Sequence, residues 1–182
     1  DCPGIGELVF DVGYGGNFYV IVDPQKNFSG VQDFTASEII RMSQQVRKRI
    51  NEKYPDRFVH PENASIHGAT HMLWTGEPLD ATSSGRNAVF YGDKAIDRSP
   101  CGTGPSARMA QLFEKGKLAV GEEFIHESYI GSRFVGRIEE VSEVRGQRAI
   151  VPSIRGWAKV FGHNTISIDQ EDDPYALGFQ VI

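Results

Sequence analysis

The sequence has few cysteines, no excess of positive charge and no long apolar run. Only two of its 182 residues are cysteine, which excludes a disulfide framework as the basis of the fold. The net charge of −5 argues against nucleic acid as a partner. No apolar run approaches the roughly 20 residues that a membrane-spanning helix needs, so we expect no membrane partner. What is present is ordinary for a globular chain: 40% hydrophobic and 24% charged residues, enough for one domain with its own core.

One of the two cysteines stands in a distinctive motif. Residues 97–104 read Asp-Arg-Ser-Pro-Cys-Gly-Thr-Gly, and a helix-compatible run follows from Ser106 to Lys115. Pro105 suits the first position of that helix, and Gly116 suits its end. Cys101 should therefore lie just before a helix N-terminus, where free N–H groups and the helix dipole favour an anion. That anion is either a thiolate at Cys101 or a carboxylate bound to the amides of the glycine-rich turn.

This motif has two other interpretations. The plainer one is a buried structural cysteine beside a tight turn, which is the common situation for a lone cysteine. The other is a phosphate-binding loop of the phosphatase type, which needs an arginine after five intervening residues. Here Arg108 follows Cys101 after six intervening residues, and no histidine precedes the cysteine. We therefore set the phosphatase interpretation aside.

The rest of the chain predicts one further helix and many strands. Thr35 and Glu38 have the spacing of a capping box at the start of a helix over Thr35–Tyr54, and one apolar stripe runs along it. Two helices against eight or nine clustered strands predict an α+β fold. The predicted strands are residues 7–12, 18–22, 66–75, 87–91, 123–129, 133–139, 149–154, 157–161 and 165–168.

The cysteine motif resembles the second catalytic motif of the proline racemase and 4-hydroxyproline epimerase family. Within this family the 4-hydroxyproline epimerase branch is the most similar, because Thr70-His71 precedes Trp74-Thr75-Gly76. The resemblance extends over nearly the whole chain. Further segments that carry it are residues 12–19, 86–92, 124–128, 130–132, 162–165 and 173–179.

The resemblance implies a fold and a domain organisation. The fold is a diaminopimelate-epimerase-like domain, in which a curved, mostly antiparallel sheet wraps around a central helix, here Thr103–Lys115. Residues 1–161 would form the second, C-terminal domain of a two-domain racemase. Residues 162–182 would form a tail that crosses back to the N-terminal domain.

Compared with the family, half of the enzyme is absent from this sequence. Family members are about twice as long and carry a first catalytic cysteine in a Met-Cys-Gly-His type motif, which has no counterpart here. Cys2 is not that residue, because no histidine follows it. We therefore expect a fragment whose partner is the N-terminal half of the same enzyme, and we expect the isolated chain to be inactive. A start at Asp1 rather than Met agrees with this expectation.

The implied reaction is inversion at Cα of 4-hydroxyproline by two cysteines, one acting as base and the other as acid, with no cofactor. Cys101 would be one of them. The amides of Gly102 and Thr103 would bind the substrate carboxylate, and Asp97 would accept a hydrogen bond from the ring nitrogen. The resemblance places His71 in the substrate pocket, against a ring hydroxyl. Turn formation by Asp97 and a structural role for His71 are the alternatives.

Further expectations concern metals, substrate affinity and alternative functions. The other histidines (His60, His67, His126 and His163) lack the spacing of a metal site, so we expect no metal and interpret them as structural or surface residues. The family usually has Thr where this chain has Pro105, which puts substrate affinity in doubt. Proline racemase, 3-hydroxyproline dehydratase and an inactive binding module are the alternative functions. A working thiol needs a reducing compartment, so we expect the protein in the cytoplasm. The expected substrate is a small imino acid. The sequence leaves open whether the protein forms a homodimer.

Overall fold

The computed structural model describes residue 2 and residues 4–179. This part of the chain contains two α-helices, α1 (Ala36–Lys53) and α2 (Thr103–Glu114), and a short 3-10 helix at Val31–Asp33. It also contains ten strands: β1 (Asp11–Tyr14), β2 (Phe18–Val22), β3 (Val59–His60), β4 (Asn63–His67), β5 (His71–Gly76), β6 (Gly85–Tyr91), β7 (Ala95–Ile96), β8 (Glu123–Glu127), β9 (Arg133–Val144) and β10 (Gln147–Arg155).

Eight of the strands form one sheet that curls around α2. Their order is β1-β2-β5-β6-β8-β9-β10, with β7 paired to β6, while β3 and β4 form a separate hairpin. Within the large sheet only the pairs β2–β5 and β6–β8 are parallel. Helix α2 packs against β1 and β2 near one edge of the sheet and against β9 and β10 at the other. The predicted α+β fold, with a curved, mostly antiparallel sheet around a central helix, is confirmed.

The central strands of this sheet are buried on both faces. In β2, Val20 and Val22 pack into the core beneath α1, whereas Tyr19 and Ile21 pack with Ala107 of α2. This alternation follows from the two-residue period of a strand. Because both faces are covered, the strand is a continuous apolar run rather than an alternating one.

Helix α1 forms as its sequence predicts. The Thr35 side chain accepts a hydrogen bond from the Glu38 amide, and the Glu38 carboxylate accepts one from the Thr35 amide, which completes the capping box. The apolar stripe lies against the outer face of the sheet, where Trp74 donates its indole N–H to Ser43 Oγ at 2.7 Å. The members of the stripe are Ile39, Met42, Val46 and Ile50, all buried.

Among the described residues no helix is both long and apolar enough to cross a membrane.

Helix α2 begins at Thr103, as the family resemblance implied, and two residues before the start that Pro105 suggested. Gly102 is its N-cap, so Pro105 is the third helical residue and not the first. The position still accepts proline, because the first-turn N–H groups have no intrahelical acceptor. The helix ends at Glu114, one residue short of the prediction. Gly116 follows with φ of 66°, and its amide and that of the next residue bond back into the last turn, as in a Schellman motif.

Several of the predicted strands were wrong in part or in whole. The strand predicted over residues 7–12 is β1, which begins only at Asp11 and runs to Tyr14. Residues 66–75 are two strands, because Gly68 between them has φ of 77° and turns the chain. Residues 157–161 and 165–168 form no strand in the described structure, since no neighbouring strand pairs with them. Their apolar side chains are exposed, Phe161 by 98% and Val160 by 80%.

Residues 1, 3 and 180–182 of the two predicted domains lie outside the described residues, and the domain division stays a prediction.

Gly15 sets the close approach of the β1–β2 turn to α2. A Cβ at this position would collide with the Thr103 carbonyl oxygen and lie 2.6 Å from the Ala107 amide nitrogen. Because these are backbone atoms of a helix, they cannot move aside cheaply. We expect Gly15→Ala to lower the free energy of unfolding by about 1–3 kcal/mol, measured by urea denaturation. Gly162→Ala is the matched control and should change stability by less than about 0.5 kcal/mol. Equal stability of the two variants would contradict this packing.

His126 makes the stability depend on pH. It lies on β8, is 1% exposed and faces α2. Burial, aided by the Arg108 guanidinium, lowers the pKa of His126 from 6.5 to about 3. The unfolded chain therefore takes up a proton below pH 6.5 that the folded chain refuses, so stability is lost as the pH falls through this range.

We expect this residue to lower the free energy of unfolding by about 2 kcal/mol between pH 7 and pH 5, measured by urea denaturation at both values. His126→Asn should flatten the dependence. A weaker dependence of the free energy of unfolding on pH should remain because of His71, whose pKa is also lowered by burial and by Arg47. An unchanged slope in the variant would show that His126 is not held neutral.

Candidate active site

Cys101 lies in the loop between β7 and α2, directly before the helix N-cap. Its side chain is half-buried, and its backbone has φ of 72°. A residue other than glycine in the left-handed region costs on the order of 1–3 kcal/mol and persists only where its surroundings hold it in place. The conformation of Cys101 therefore depends on the contacts of the loop that leads into it.

That loop is attached to the fold through successive backbone groups. The Asp97 amide donates to the Val89 carbonyl of β6 at 2.8 Å, and Ser132 Oγ donates to the Arg98 carbonyl at 2.9 Å. Ser99 links the loop internally: its amide and hydroxyl donate to Asp97 Oδ1, and its Oγ accepts from the Cys101 amide at 3.0 Å. One carboxylate oxygen of Asp97 thus forms the turn. Turn formation is the role that the sequence analysis gave as the alternative to substrate binding for this residue.

The sulfur of Cys101 is surrounded by hydrogen-bonding groups. The Gly104 amide donates to Sγ at 3.4 Å, Tyr19 Oη lies 3.4 Å from it and Thr103 Oγ1 lies 3.6 Å from it. The hydroxyls of Tyr19 and Thr103 are themselves 2.6 Å apart. An N–H and two hydroxyls near the sulfur, at a helix N-terminus, are groups that stabilise negative charge on it.

Tyr19 is a site residue that the sequence did not reveal. It lies on β2 and is fully buried, and burial together with its hydrogen bond to Cys101 raises the pKa of the phenol. The phenol therefore stays protonated and keeps a proton to donate. The two-residue period of β2 placed Tyr19 on the same face as Ile21. Nothing local indicated that this face would meet Cys101.

His71 is brought to the same region by strand pairing. It is the first residue of β5 and pairs with Tyr19 in the parallel β2–β5 register. The two rings lie 4.8 Å apart, and Thr70 Oγ1 lies 2.9 Å from His71 Nδ1. Four of the predicted site residues, Cys101, Gly102, Thr103 and His71, thus lie on or next to the end of α2 where Tyr19 sits.

The amides of Gly102 and Thr103 are available to an anion. Neither N–H has an acceptor among the residues that the structure describes, as expected for the first turn of a helix. Gly102 is exposed and Thr103 is half-buried. Asp97 is also half-buried, and the loop carries it past the end of β7. This end of α2 therefore combines a sulfur, free amide donors and a nearby carboxylate on an open surface.

Two cavities lie elsewhere in the fold. One, of about 790 Å³, follows α2 along the gap between β1 and β10, and is lined by Ser106 and Phe113 among others. The other, of about 400 Å³, lies between the C-terminal half of α2 and β8, and is lined by Arg108 and His126 among others. Within the described ranges no three His, Cys, Asp or Glu side chains cluster closely enough to bind a metal ion.

Comparison with known proteins connects this site to a family. A 4-hydroxyproline 2-epimerase of Spirosoma linguale is 59% identical over all 182 residues and is covered to 54% of its length. A solved probable proline racemase of Agrobacterium radiobacter, with bound carbonate, superposes with a TM-score of 0.78 at 33% identity, covering 100% of this chain and 52% of that one. A solved hydroxyproline epimerase of Agrobacterium vitis, with bound trans-4-hydroxy-L-proline, superposes with a TM-score of 0.77 at 30% identity. The match covers 97% of this chain and 50% of that one.

The length of the match confirms part of the sequence-based expectation. The chain spans about half the length of the curated relatives it matches. The proline racemase family description matches residues 1–180, nearly the whole of the chain. By this match, the chain belongs to the proline racemase family.

Proposed function

We propose that this chain is the C-terminal half of a 4-hydroxyproline 2-epimerase and supplies one of its two acid/base groups. The observation that carries the proposal is the half-buried sulfur of Cys101 at the N-terminus of α2, with hydrogen-bond donors around it. The name of the Spirosoma linguale relative and the ligand of the Agrobacterium vitis structure support the substrate.

The chemistry of this reaction fits such a site. The α-proton of an amino acid is weakly acidic, and its removal places additional negative charge on the carboxylate. A thiolate takes the proton on one face of Cα, and a thiol delivers a proton to the opposite face, so the configuration inverts and no atom is gained or lost. Amide donors directed at the carboxylate stabilise the charge that develops.

Each predicted residue has a role in this proposal. Cys101 is the acid/base on one face of the substrate. The free amides of Gly102 and Thr103 bind the carboxylate, as helix N-termini bind anions. Asp97 accepts a hydrogen bond from the ring ammonium through the carboxylate oxygen that Ser99 does not use.

His71 favours hydroxyproline over proline. Its Nδ1 contacts Thr70, which leaves Nε2 to meet the ring hydroxyl of the substrate. Burial keeps the imidazole neutral at physiological pH by lowering its pKa. A neutral ring nitrogen beside a hydroxyl adds a hydrogen bond that proline cannot make.

The second acid/base belongs to the other half of the enzyme. The N-terminal end of α2 is open, and Cys101 lines neither of the two cavities described above. A second half docked over this end would close the site, exclude water and present the second cysteine to the opposite face of Cα. The small-molecule substrate would then lie between the two halves.

The segment 162–182 docks on that half in the same proposal. Its described part carries large apolar side chains with little packing against the rest of the chain, and contiguous exposed apolar surface is typical of an interface. These side chains are Ile166, Ile168, Tyr175, Leu177 and Phe179, each at least 63% exposed. The alternation of Ile166 and Ile168 suits a strand that needs a partner sheet.

The first test uses the whole enzyme and its halves. Cys101→Ser in the whole protein should lower the rate of inversion of trans-4-hydroxy-L-proline by at least about a thousandfold, measured by chiral chromatography, because the alcohol is a far weaker acid than the thiol. Its melting temperature should stay within a few degrees of the parent. Loss of folding instead would assign Cys101 the structural role.

The isolated chain should show no turnover, and addition of the N-terminal half should restore it. The same mixture with a chain that ends at residue 161 should stay inactive. Inversion by the isolated chain would contradict the two-base division. Faster turnover of proline would favour a proline racemase, and release of a dehydrated product would favour a 3-hydroxyproline dehydratase.

The second test concerns Tyr19. Tyr19→Phe in the whole protein removes the hydroxyl that contacts Cys101 and Thr103 but keeps the ring against His71. We expect kcat to fall by about tenfold to a hundredfold, since one donor near the reacting groups is lost. Tyr129→Phe is the matched control, because its phenol donates to the Phe34 carbonyl at 2.8 Å in a purely structural contact. Equal kcat values in the two variants would show that the Tyr19 hydroxyl does not contribute to the reaction.

A further inference from the structure

The peptide group between Pro100 and Cys101 is held at both of its polar atoms. The Cys101 amide donates to Ser99 Oγ at 3.0 Å, within the loop. The Pro100 carbonyl points into the domain and accepts from Asn87 Nδ2 at 3.1 Å. Pro100 is buried and Asn87 is fully buried. With both atoms bonded, the plane of this peptide cannot rotate freely.

The Asn87 amide is itself held by His126. Asn87 Nδ2 lies 3.3 Å from His126 Nδ1, so its two hydrogens serve the Pro100 carbonyl and the imidazole. This requires a lone pair on Nδ1, which only a neutral imidazole offers. Burial keeps the ring neutral, as its low pKa shows. A protonated ring would turn an N–H toward the amide and break the arrangement.

The fold places these two side chains together. The parallel pairing of β6 and β8 sets Gly85 opposite His126 and Arg86 opposite Glu127. Asn87 and His126 therefore meet on the face of the sheet that covers α2. Phe124 lies against the imidazole with ring centres 4.8 Å apart, and Arg108 is the charged group that faces it from the helix.

This arrangement is costly for a structural contact alone. Asn87 Oδ1 is buried and has no hydrogen-bond partner among the described residues. Leaving such an atom unpaired costs on the order of 1–3 kcal/mol, and an apolar pair of the same shape would avoid that cost. The amide is therefore better explained by what its nitrogen does than by its contribution to stability.

We propose that Asn87 and His126 form a positioning device, the Pro100 clamp, which fixes the direction of the Cys101 sulfur. The peptide plane before Cys101 is held by the clamp, and the chain after Cys101 is held by α2 from Gly102 onward. Between two fixed segments, Cys101 is kept in its left-handed conformation, with Sγ toward the Gly104 amide and Tyr19. The catalytic part of this inference rests on the proposed function.

Release of the clamp moves the sulfur without removing it. The peptide plane then rotates, and Cys101 relaxes toward an ordinary backbone conformation. A displacement of about 1 Å between reacting groups lowers a rate by as much as a hundredfold. Binding of the carboxylate by the helix amides is less affected, since α2 stays in place. The clamp thus affects kcat more than KM.

The test is Asn87→Leu in the whole protein, which removes the donor but keeps the volume. We expect kcat for trans-4-hydroxy-L-proline to fall by about tenfold to a hundredfold with KM changed less than about threefold. Amide hydrogen exchange in a peptide over residues 97–104 should become several-fold faster. Ser43→Ala is the control: it leaves the buried Trp74 indole unpaired on the opposite face of the sheet and should change stability but neither readout.

A second pair of variants keeps the test decisive if Asn87→Leu fails to fold. His126→Asn retains an acceptor near the position of Nδ1 and should stay close to the parent, whereas His126→Leu should show the faster exchange over 97–104 and the lower kcat. Equal behaviour of the two His126 variants, or a folded Asn87→Leu with parental kcat and exchange, would overturn the clamp. If the whole protein does not invert hydroxyproline, the proposed function fails, and the exchange measurement still decides on the clamp.

Discussion

The structure depends on how one short segment passes from the sheet to the central helix. At Cys101 the chain adopts a left-handed backbone, which a cysteine does not choose by itself. Hydrogen bonds from both sides of the segment hold that conformation, and the next residue, Gly102, is the N-cap of α2. The position of the sulfur is therefore a property of the whole domain and not of the loop alone.

The curled sheet explains why a helix can be presented end-on. Because α2 packs between the two edges of one sheet, its sides are largely covered while its N-terminal end stays open. Its first-turn amides therefore remain available, and the dipole is directed toward any bound anion. A helix lying on the outer surface, as α1 does, offers its side rather than its end.

Three buried polar side chains near the Cys101 loop are uncharged. Burial raises the pKa of Tyr19 and lowers that of His126, so that both stay uncharged near neutral pH. Asn87 of β6, which donates to the loop at the Pro100 carbonyl, carries no charge at all. Neutral dipoles of fixed direction stabilise charge that appears during a reaction without adding a charge of their own. This agrees with the proposed site, in which a sulfur exchanges protons and backbone amides bind a carboxylate.

The sequence by itself determined the local features of this protein. The capping box of Thr35 and Glu38 predicted α1, and the Pro-Cys-Gly-Thr-Gly run placed Cys101 before a helix, because both signals act within one turn of chain. The fold class followed from the clustering of strands and from the family resemblance.

Only the tertiary structure decided which distant residues meet around the Cys101 loop. Tyr19, Asn87 and His126 reach the site through strand register and sheet curvature, which no short pattern records. The same reason explains the wrong strands after residue 156, since a strand exists only when a partner strand completes its hydrogen bonds. The family resemblance placed the start of α2 correctly at Thr103, whereas the preference of Pro105 alone suggested a start two residues later. The held turn at Cys101 sets this start, and not the preference of Pro105.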